Sequence, residues 1–308
     1  MISRIDDLLR AAGEAGLRLD PGTASLDESG ADFLVAHGRD SEGTPWIVRA
    51  PRRPDVMARA AGERRALALV RPRLPVAVPD WRIATADIIA YPRLAGEPAA
   101  VVDPAAGGYV WRFDPTDPPE AFTSSLAAVL AALHRIDPAE AAAAALRVRS
   151  PDDIRVDLAE EMERAREILD IPDVLWARWH RWLADDDYWP HAPAVVHGDL
   201  HPPHILVDEA HRVVGLLDWT EAHAADPAMD FTLQFGAMGP KALDALLAGY
   251  QQAGGAMGAR MGEHVVESWL AYPATIASFA RVTGEESHRQ LAQHLIDASA
   301  AQLANERG

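Results

Sequence analysis

Two neighbouring stretches decide the fold: Val195-Val196-His197-Gly198-Asp199-Leu200-His201-Pro202-Pro203-His204-Ile205-Leu206-Val207-Asp208, then Val213-Val214-Gly215-Leu216-Leu217-Asp218-Trp219-Thr220-Glu221. Short β-branched runs alternate with Gly-, Pro- and Asp-bearing turns, so the pattern reads as strand, polar loop, strand, turn, strand. Asp199 and His204 stand five positions apart, and Asp218 closes the hairpin that follows. One carboxylate placed to accept a proton, beside two side chains placed to hold a divalent cation, is the set that phosphoryl transfer requires.

Protein kinases carry a catalytic Asp and a metal-binding Asn at this five-residue separation, with a second metal-binding Asp one hairpin later. The segment also resembles the aminoglycoside phosphotransferase superfamily, whose signature is His-Gly-Asp-x-x-x-x-Asn followed by Asp-Trp. More narrowly it is similar to the macrolide 2′-phosphotransferases, which have histidine at the asparagine position. Those continue with Asp-Trp-Ser/Thr-Glu-Ala and Asp-Pro-Ala-x-Asp, matched here by Asp218-Trp219-Thr220-Glu221-Ala222 and Asp226-Pro227-Ala228-Met229-Asp230. Pro79-Asp80-Trp81-Arg82 extends the likeness toward the N-terminus.

The resemblance implies an α+β, bilobal protein-kinase-like fold, with a small β-rich N-lobe over residues 1–94 and a larger, mostly helical C-lobe over residues 95–308. It implies Asp199 as catalytic base, His204 and Asp218 as Mg²⁺ ligands, GTP as donor with ATP possible, and the 2′-hydroxyl of macrolide desosamine as acceptor. His204 is an unusual Mg²⁺ ligand because that ion prefers oxygen, so contact with phosphate or polarisation of a water stay open. Within the same superfamily, an aminoglycoside or other hydroxyl acceptor is the competing reading.

The nucleotide grip is expected from the first lobe. Ser29 and Gly30, in Asp27-Glu28-Ser29-Gly30-Ala31-Asp32, fall where kinases have a glycine-rich loop and can offer backbone amides to phosphate. Kinases keep a lysine on the next strand, paired with a helical glutamate; here Arg49 takes that place and Glu63 is the natural partner. Arginine keeps the charge and can bridge phosphate oxygens, though with different geometry. That departure motivates the alternative of a non-catalytic, nucleotide-binding pseudokinase. Ala90, Tyr91, Pro92 and Leu94, in Ile88–Gly96, resemble the interlobe hinge that would meet the purine edge.

Elsewhere, helical periodicity is expected over Ser3–Leu19, with Ser3 as cap, and over about Pro54–Val70. Strand-like runs at Ala31–His37 and Pro45–Ala50 form a hairpin, and Pro79–Ala84 with Asp87–Tyr91 a second pair. Gly96–Pro119 reads as linker or surface loop. Helices are expected at Ala121–Ile136, Asp152–Leu169, Val174–Leu183, Lys241–Ala253, Glu263–Ala280 and Glu285–Asn305.

Composition narrows the partners. The chain has 308 residues, 29 basic against 46 acidic, for a net charge of −17. That field repels nucleic acid and anionic membranes, and it attracts cations. With no cysteine, disulfides and Cys-based zinc sites are excluded. The N-terminus lacks a signal-peptide apolar region, so cytoplasm is expected; a monomer is a separate expectation. His197, His201 and His204 match no usual zinc spacing, although a metal-dependent hydrolase is a minor alternative. His197 is expected to anchor the loop, His201 to be simply exposed, and Asp226 and Asp230 to brace the catalytic loop. Phe235, Met238, Tyr272 and Ile276 are candidates for an apolar acceptor surface, and Glu221 for facing either a cationic acceptor or solvent.

Overall fold

Period-two alternation of apolar residues builds a sheet that two helices sandwich. The structure, a computed structural model, describes residues 2, 4–28, 30, 32–103 and 108–305. Strands β1 (Ser25–Asp27), β2 (Phe33–Arg39), β3 (Pro45–Pro51), β4 (Ile83–Ala84) and β5 (Ile89–Pro92) pair antiparallel in the order β1-β2-β3-β5-β4. Successive strand side chains face opposite ways. Leu34, Ala36, Val48, Ala50 and Ala90 therefore bury against Leu8 and Ala12 of α1 (Ile5–Glu14). Phe33, Ile47, Ile89 and Tyr91 bury against Val56 and Ala60 of α2 (Pro54–Val70). Arg49 is in phase with this second set, which aims it at α2.

Helix α1 is shorter than the expected Ser3–Leu19. It stops at Glu14, and the N–H of Leu17 bonds back to Ala12 O at 2.8 Å. Ser3, the expected cap, lies outside the described residues.

The expected linker is structured. β6 (Glu97–Pro98) pairs with a later strand, and β7 (Ala100–Asp103) pairs with β8 (Gly108–Trp111) as a hairpin. The β-branched and aromatic residues of Val101-Val102 and Tyr109-Val110-Trp111 outweigh the Gly, Pro and Asp around them.

The remaining chain is mainly helical: α3 (Glu120–His134), α4 (Pro138–Ala143), α5 (Pro151–Ala165), α6 (Asp173–Ala184), α7 (Met229–Met238), α8 (Pro240–Gln252), α9 (Met261–Thr283) and α10 (Glu286–Asn305). Between α6 and α7 come β9 (Ala194–Val196), β10 (Ile205–Val207), β11 (Val213–Leu216) and β12 (His223–Ala225). β12 was not expected. β10 lies between β11 and β6, while β9 pairs with β12. Helices α3, α7 and α8 close one core around Phe122, Trp219, Phe231 and Tyr250. A second, around Trp179 and Trp182, joins α5, α6, α9 and α10. Among the described residues no helix is long and apolar enough to cross a membrane.

Where the chain leaves the sheet, Gly96 has φ 89°, and a Cβ there would lie 2.6 Å from Val214 Cγ2 and 2.8 Å from Val207 O. Gly96→Ala is expected to destabilise the protein by about 1–3 kcal/mol, seen as a thermal midpoint lowered by several degrees. An unchanged midpoint would contradict this packing.

Candidate active site

The loop between β9 and β10 is held from below by one buried carboxylate. Asp230, at the start of α7, accepts from the backbone N–H groups of His197 and Gly198, both at 2.9 Å, and from His134 Nε2 at 3.1 Å. Burial alone would raise its pKa. The His134 hydrogen bond, the His134 and His197 rings and the His197 amide outweigh that and hold it below the usual carboxylate range. Gln234, one turn along α7, donates to Leu200 O at 2.6 Å. The brace expected of Asp230 is therefore in place. Asp226 acts elsewhere: it bonds His264 Nε2 at 2.5 Å and accepts from Ala228 N–H, fixing the entry to α7.

Gly198 allows the tightest approach in the loop. At φ 84°, a Cβ would stand 2.5 Å from Glu221 O, so only glycine lets Asp199 ride over the segment after Asp218. His197 is fully buried, donates from Nε2 to Leu217 O at 2.8 Å, and lies against Trp219. Burial pushes its pKa down to about 4.

The three residues singled out by spacing converge. His204 Nδ1 is 3.8 Å from Asp199 Oδ2, and its Nε2 is 3.8 Å from Asp218 Oδ2. Asp199 and Asp218 leave 41% and 43% of their side chains open against 17% for His204, so the carboxylates face the crevice. Asp218 has φ 56°, a left-handed conformation that Asp tolerates better than most residues.

Their environments push the two carboxyls apart. Burial raises Asp199 to about 6, with Asp218, Glu221 and Asp230 adding to the shift and His204 opposing it. For Asp218 burial also acts upward, but the charges of His204 and Arg49 outweigh it and the net shift is downward. Such a split suits one carboxyl to exchange a proton and the other to stay anionic beside a cation.

Arg49 and Glu63 meet as expected. Arg49 Nη1 and Nη2 donate to Glu63 at 2.9 and 3.2 Å, and the guanidinium caps the Phe33 ring at 3.9 Å. Burial pulls Glu63 upward. Both its oxygens nevertheless accept guanidinium N–H groups, so the pair is ionised. Thr220 Oγ1 donates to Glu63 Oε2 at 3.4 Å, tying α2 to the Asp218 segment.

Other expected positions fare unevenly. Arg52 donates to Gly30 O at 2.8 Å and Glu28 O at 2.7 Å, which pins that turn; Ser29 lies outside the described residues. Ala90, Tyr91 and Pro92 pair with Val48, Ile47 and Trp46 of β3. β4 covers the opposite edge only at Ile89 and Ala90, and Ala90 O already accepts from Arg82 N–H at 2.9 Å. Ala90 is therefore spent on the sheet, and the uncovered edge runs from Tyr91 toward Leu94. Met238 and Ile276, expected on an open surface, are core residues at 4% and 9% exposure, because those helix faces pack inward. Phe235 lines a cleft of about 400 Å³ with Leu243, Arg260 and Val266, apart from the Asp199 group. Tyr272 stacks on Trp269, and its phenol is raised by burial and by the charges of Asp199 and Tyr109.

His201 is half-buried, not simply exposed. Its Nδ1 is 3.1 Å from Tyr109 OH and its Nε2 is 3.1 Å from His204 Nε2. Tyr109, on the unexpected hairpin, had no local signal marking it; only the run of β-formers around it could have placed it on a strand.

For cations, Asp218 offers an open, anionic oxygen of the type hard ions take, whereas His204 offers one nitrogen. His204 Nδ1 donates to Asp199 O at 2.9 Å, so its Nε2 is the atom left to face a cation.

A family model described as the phosphotransferase enzyme family matches residues 23–264. The chain is 44% identical over 288 residues to the uncharacterized protein YcbJ of Bacillus subtilis, covering 94% of each. It is similar to the apoenzyme of macrolide 2′-phosphotransferase MphH from Brachybacterium faecium, with 39% identity, TM-score 0.85, and 95% and 97% of the two chains covered. It is also similar to a type I macrolide 2′-phosphotransferase, with 35% identity, TM-score 0.87, and 96% and 98% covered. The chain belongs to the phosphotransferase enzyme family, has its kinase-like fold, and closely resembles macrolide 2′-phosphotransferases.

Acid should loosen this site. Between about 4 and its ordinary 6.5, His197 is neutral when folded and protonated when unfolded, so stability falls as pH drops through that window. Asp230 adds a loss of the same sign at lower pH, where the unfolded carboxyl protonates first. His197 alone is expected to remove about 2 kcal/mol between pH 7 and pH 5. An NMR titration of the His197 ring tests this, and a ring that protonates near its ordinary 6.5 would refute a neutral buried His197.

Proposed function

We propose that this chain transfers the γ-phosphate of GTP to the 2′-hydroxyl of the desosamine sugar of macrolide antibiotics, inactivating them. The observation carrying this reading is the full-length likeness to two macrolide 2′-phosphotransferases. The grouping of Asp199, His204 and Asp218 at one open crevice supports it.

The lobes divide at Leu94, and the nucleotide lies between the sheet and the β9–β10 loop. The backbone edge beyond Ala90 receives the purine. Gly30 and Ser29 offer amides to the phosphates, and Arg49, oriented by Glu63, adds charge. Asp218 and His204 hold Mg²⁺, which when bound neutralises phosphate charge. Asp199 orients the acceptor hydroxyl and takes its proton. A pKa near 6 keeps it ionised at neutral pH yet basic enough to accept. Tyr272 stacked on Trp269 forms an aromatic wall beside Asp199 for the apolar ring. Exposed Glu221, whose charge reaches Asp199, faces the sugar's dimethylammonium group. Catalysis is then mainly placement and charge neutralisation.

Erythromycin incubated with protein, magnesium and GTP should gain the mass of one phosphate, and less rapidly with ATP. Asp199→Asn is expected to lower the rate by roughly 10²–10⁴ while calorimetry still detects nucleotide. Kanamycin modified in place of every macrolide tried, or Asp199→Asn at the parent rate, would overturn the proposal.

A further inference from the structure

His201 takes no part in the proposed transfer, yet it is oriented as carefully as residues that do. His201 and Pro202–His204 form a 3₁₀ turn closed by His204 N–H bonding to His201 O at 2.9 Å. Side chains three apart eclipse in that geometry, which brings the two Nε2 atoms to 3.1 Å. Two nitrogens bound to one tetrahedral Zn²⁺ at 2.0–2.1 Å would be about 3.3 Å apart.

We infer that His201, His204 and Asp199 form a binding site for a borderline-soft divalent cation, Zn²⁺ foremost, and that its occupancy blocks the proton-accepting carboxylate. Three observations support it. One nitrogen from each ring and one Asp199 carboxylate oxygen lie within 4.8 Å of one another, all three residues being half-buried. Each imidazole has its Nδ1 engaged by oxygen, His204 with Asp199 O at 2.9 Å and His201 with Tyr109 OH at 3.1 Å. That outer arrangement fixes which ring nitrogen ligates, here Nε2 in both. Lastly, the open side of Asp199 leaves room for water as a fourth ligand.

The protons balance. The carbonyl of Asp199 can only accept, so His204 carries a hydrogen on Nδ1, and a cation needs its Nε2 bare. Without metal, His201 Nε2–H donates to it, and His201 Nδ1 accepts from Tyr109 O–H. Metal entry moves the His201 proton to Nδ1, where it donates to the Tyr109 oxygen, and the Tyr109 hydroxyl turns toward solvent. From the neutral rings no proton is released; from the charged His204 that lowers Asp218, the Nε2 proton passes to water as the cation enters. Magnesium does not compete well for two nitrogens, so the same loop distinguishes two classes of ion.

The full chain, stripped of metal, is titrated with Co²⁺ as spectroscopic probe. One equivalent should give the visible absorption of four-coordinate Co²⁺, and Zn²⁺ should displace it. His201→Asn is expected to abolish the band, and Tyr109→Phe to weaken affinity about 10–100-fold. His180→Asn, at an exposed position of α6, should change nothing. Circular dichroism checks folding, and Tyr109→Phe decides the matter if His201→Asn does not fold. Only six-coordinate Co²⁺, or undiminished affinity in a folded His201→Asn, would overturn the inference. These readouts need no acceptor, so the site stands or falls separately from the proposed transfer reaction.

Discussion

The active loop depends on one buried anion. Asp230 has no solvent contact, and it converts two consecutive backbone amides, His197 and Gly198, into a fixed platform. Desolvating a carboxylate is costly unless its lone pairs are used, and here they are: His134 takes a further position and is itself bonded to Tyr250 OH at 3.0 Å. Helices α3, α7 and α8 thus meet the loop through a single charge. The aim of Asp199 follows from it, because the chain emerges from those two amides directly into that residue.

A second constraint links sheet to loop. Glu63 reaches Arg49 on β3 and Thr220 behind Asp218, so α2 bridges the two parts of the protein. The guanidinium is therefore held by planar, bidentate contacts and by the Phe33 ring, a geometry that lysine does not reproduce. Its charge depresses Asp218, so the ion pair in the sheet helps set the protonation state of a carboxylate on the other side of the crevice.

Much of this was legible in the sequence wherever the information was local. The spacing of Asp199, His204 and Asp218 survives because one loop and one hairpin carry all three. The Arg49–Glu63 pair was legible because strand phase and helix phase both point inward. Contacts between distant segments left no local trace: Tyr109 meets His201 across 92 positions of chain. Glycine, proline and aspartate around the β7–β8 hairpin masked its alternation. Met238 and Ile276 show the opposite failure, since an apolar residue on a helix does not announce whether its face meets the core or a ligand. The histidine spacing matches no familiar metal motif, and only the proline-stiffened 3₁₀ turn shows that it brings the His201 and His204 rings together.

The backbone of Asp218 limits what can replace it. Asp and Asn are among the few non-glycine residues that sit comfortably at φ 56°. Replacement by asparagine would thus keep the turn intact while deleting its negative charge.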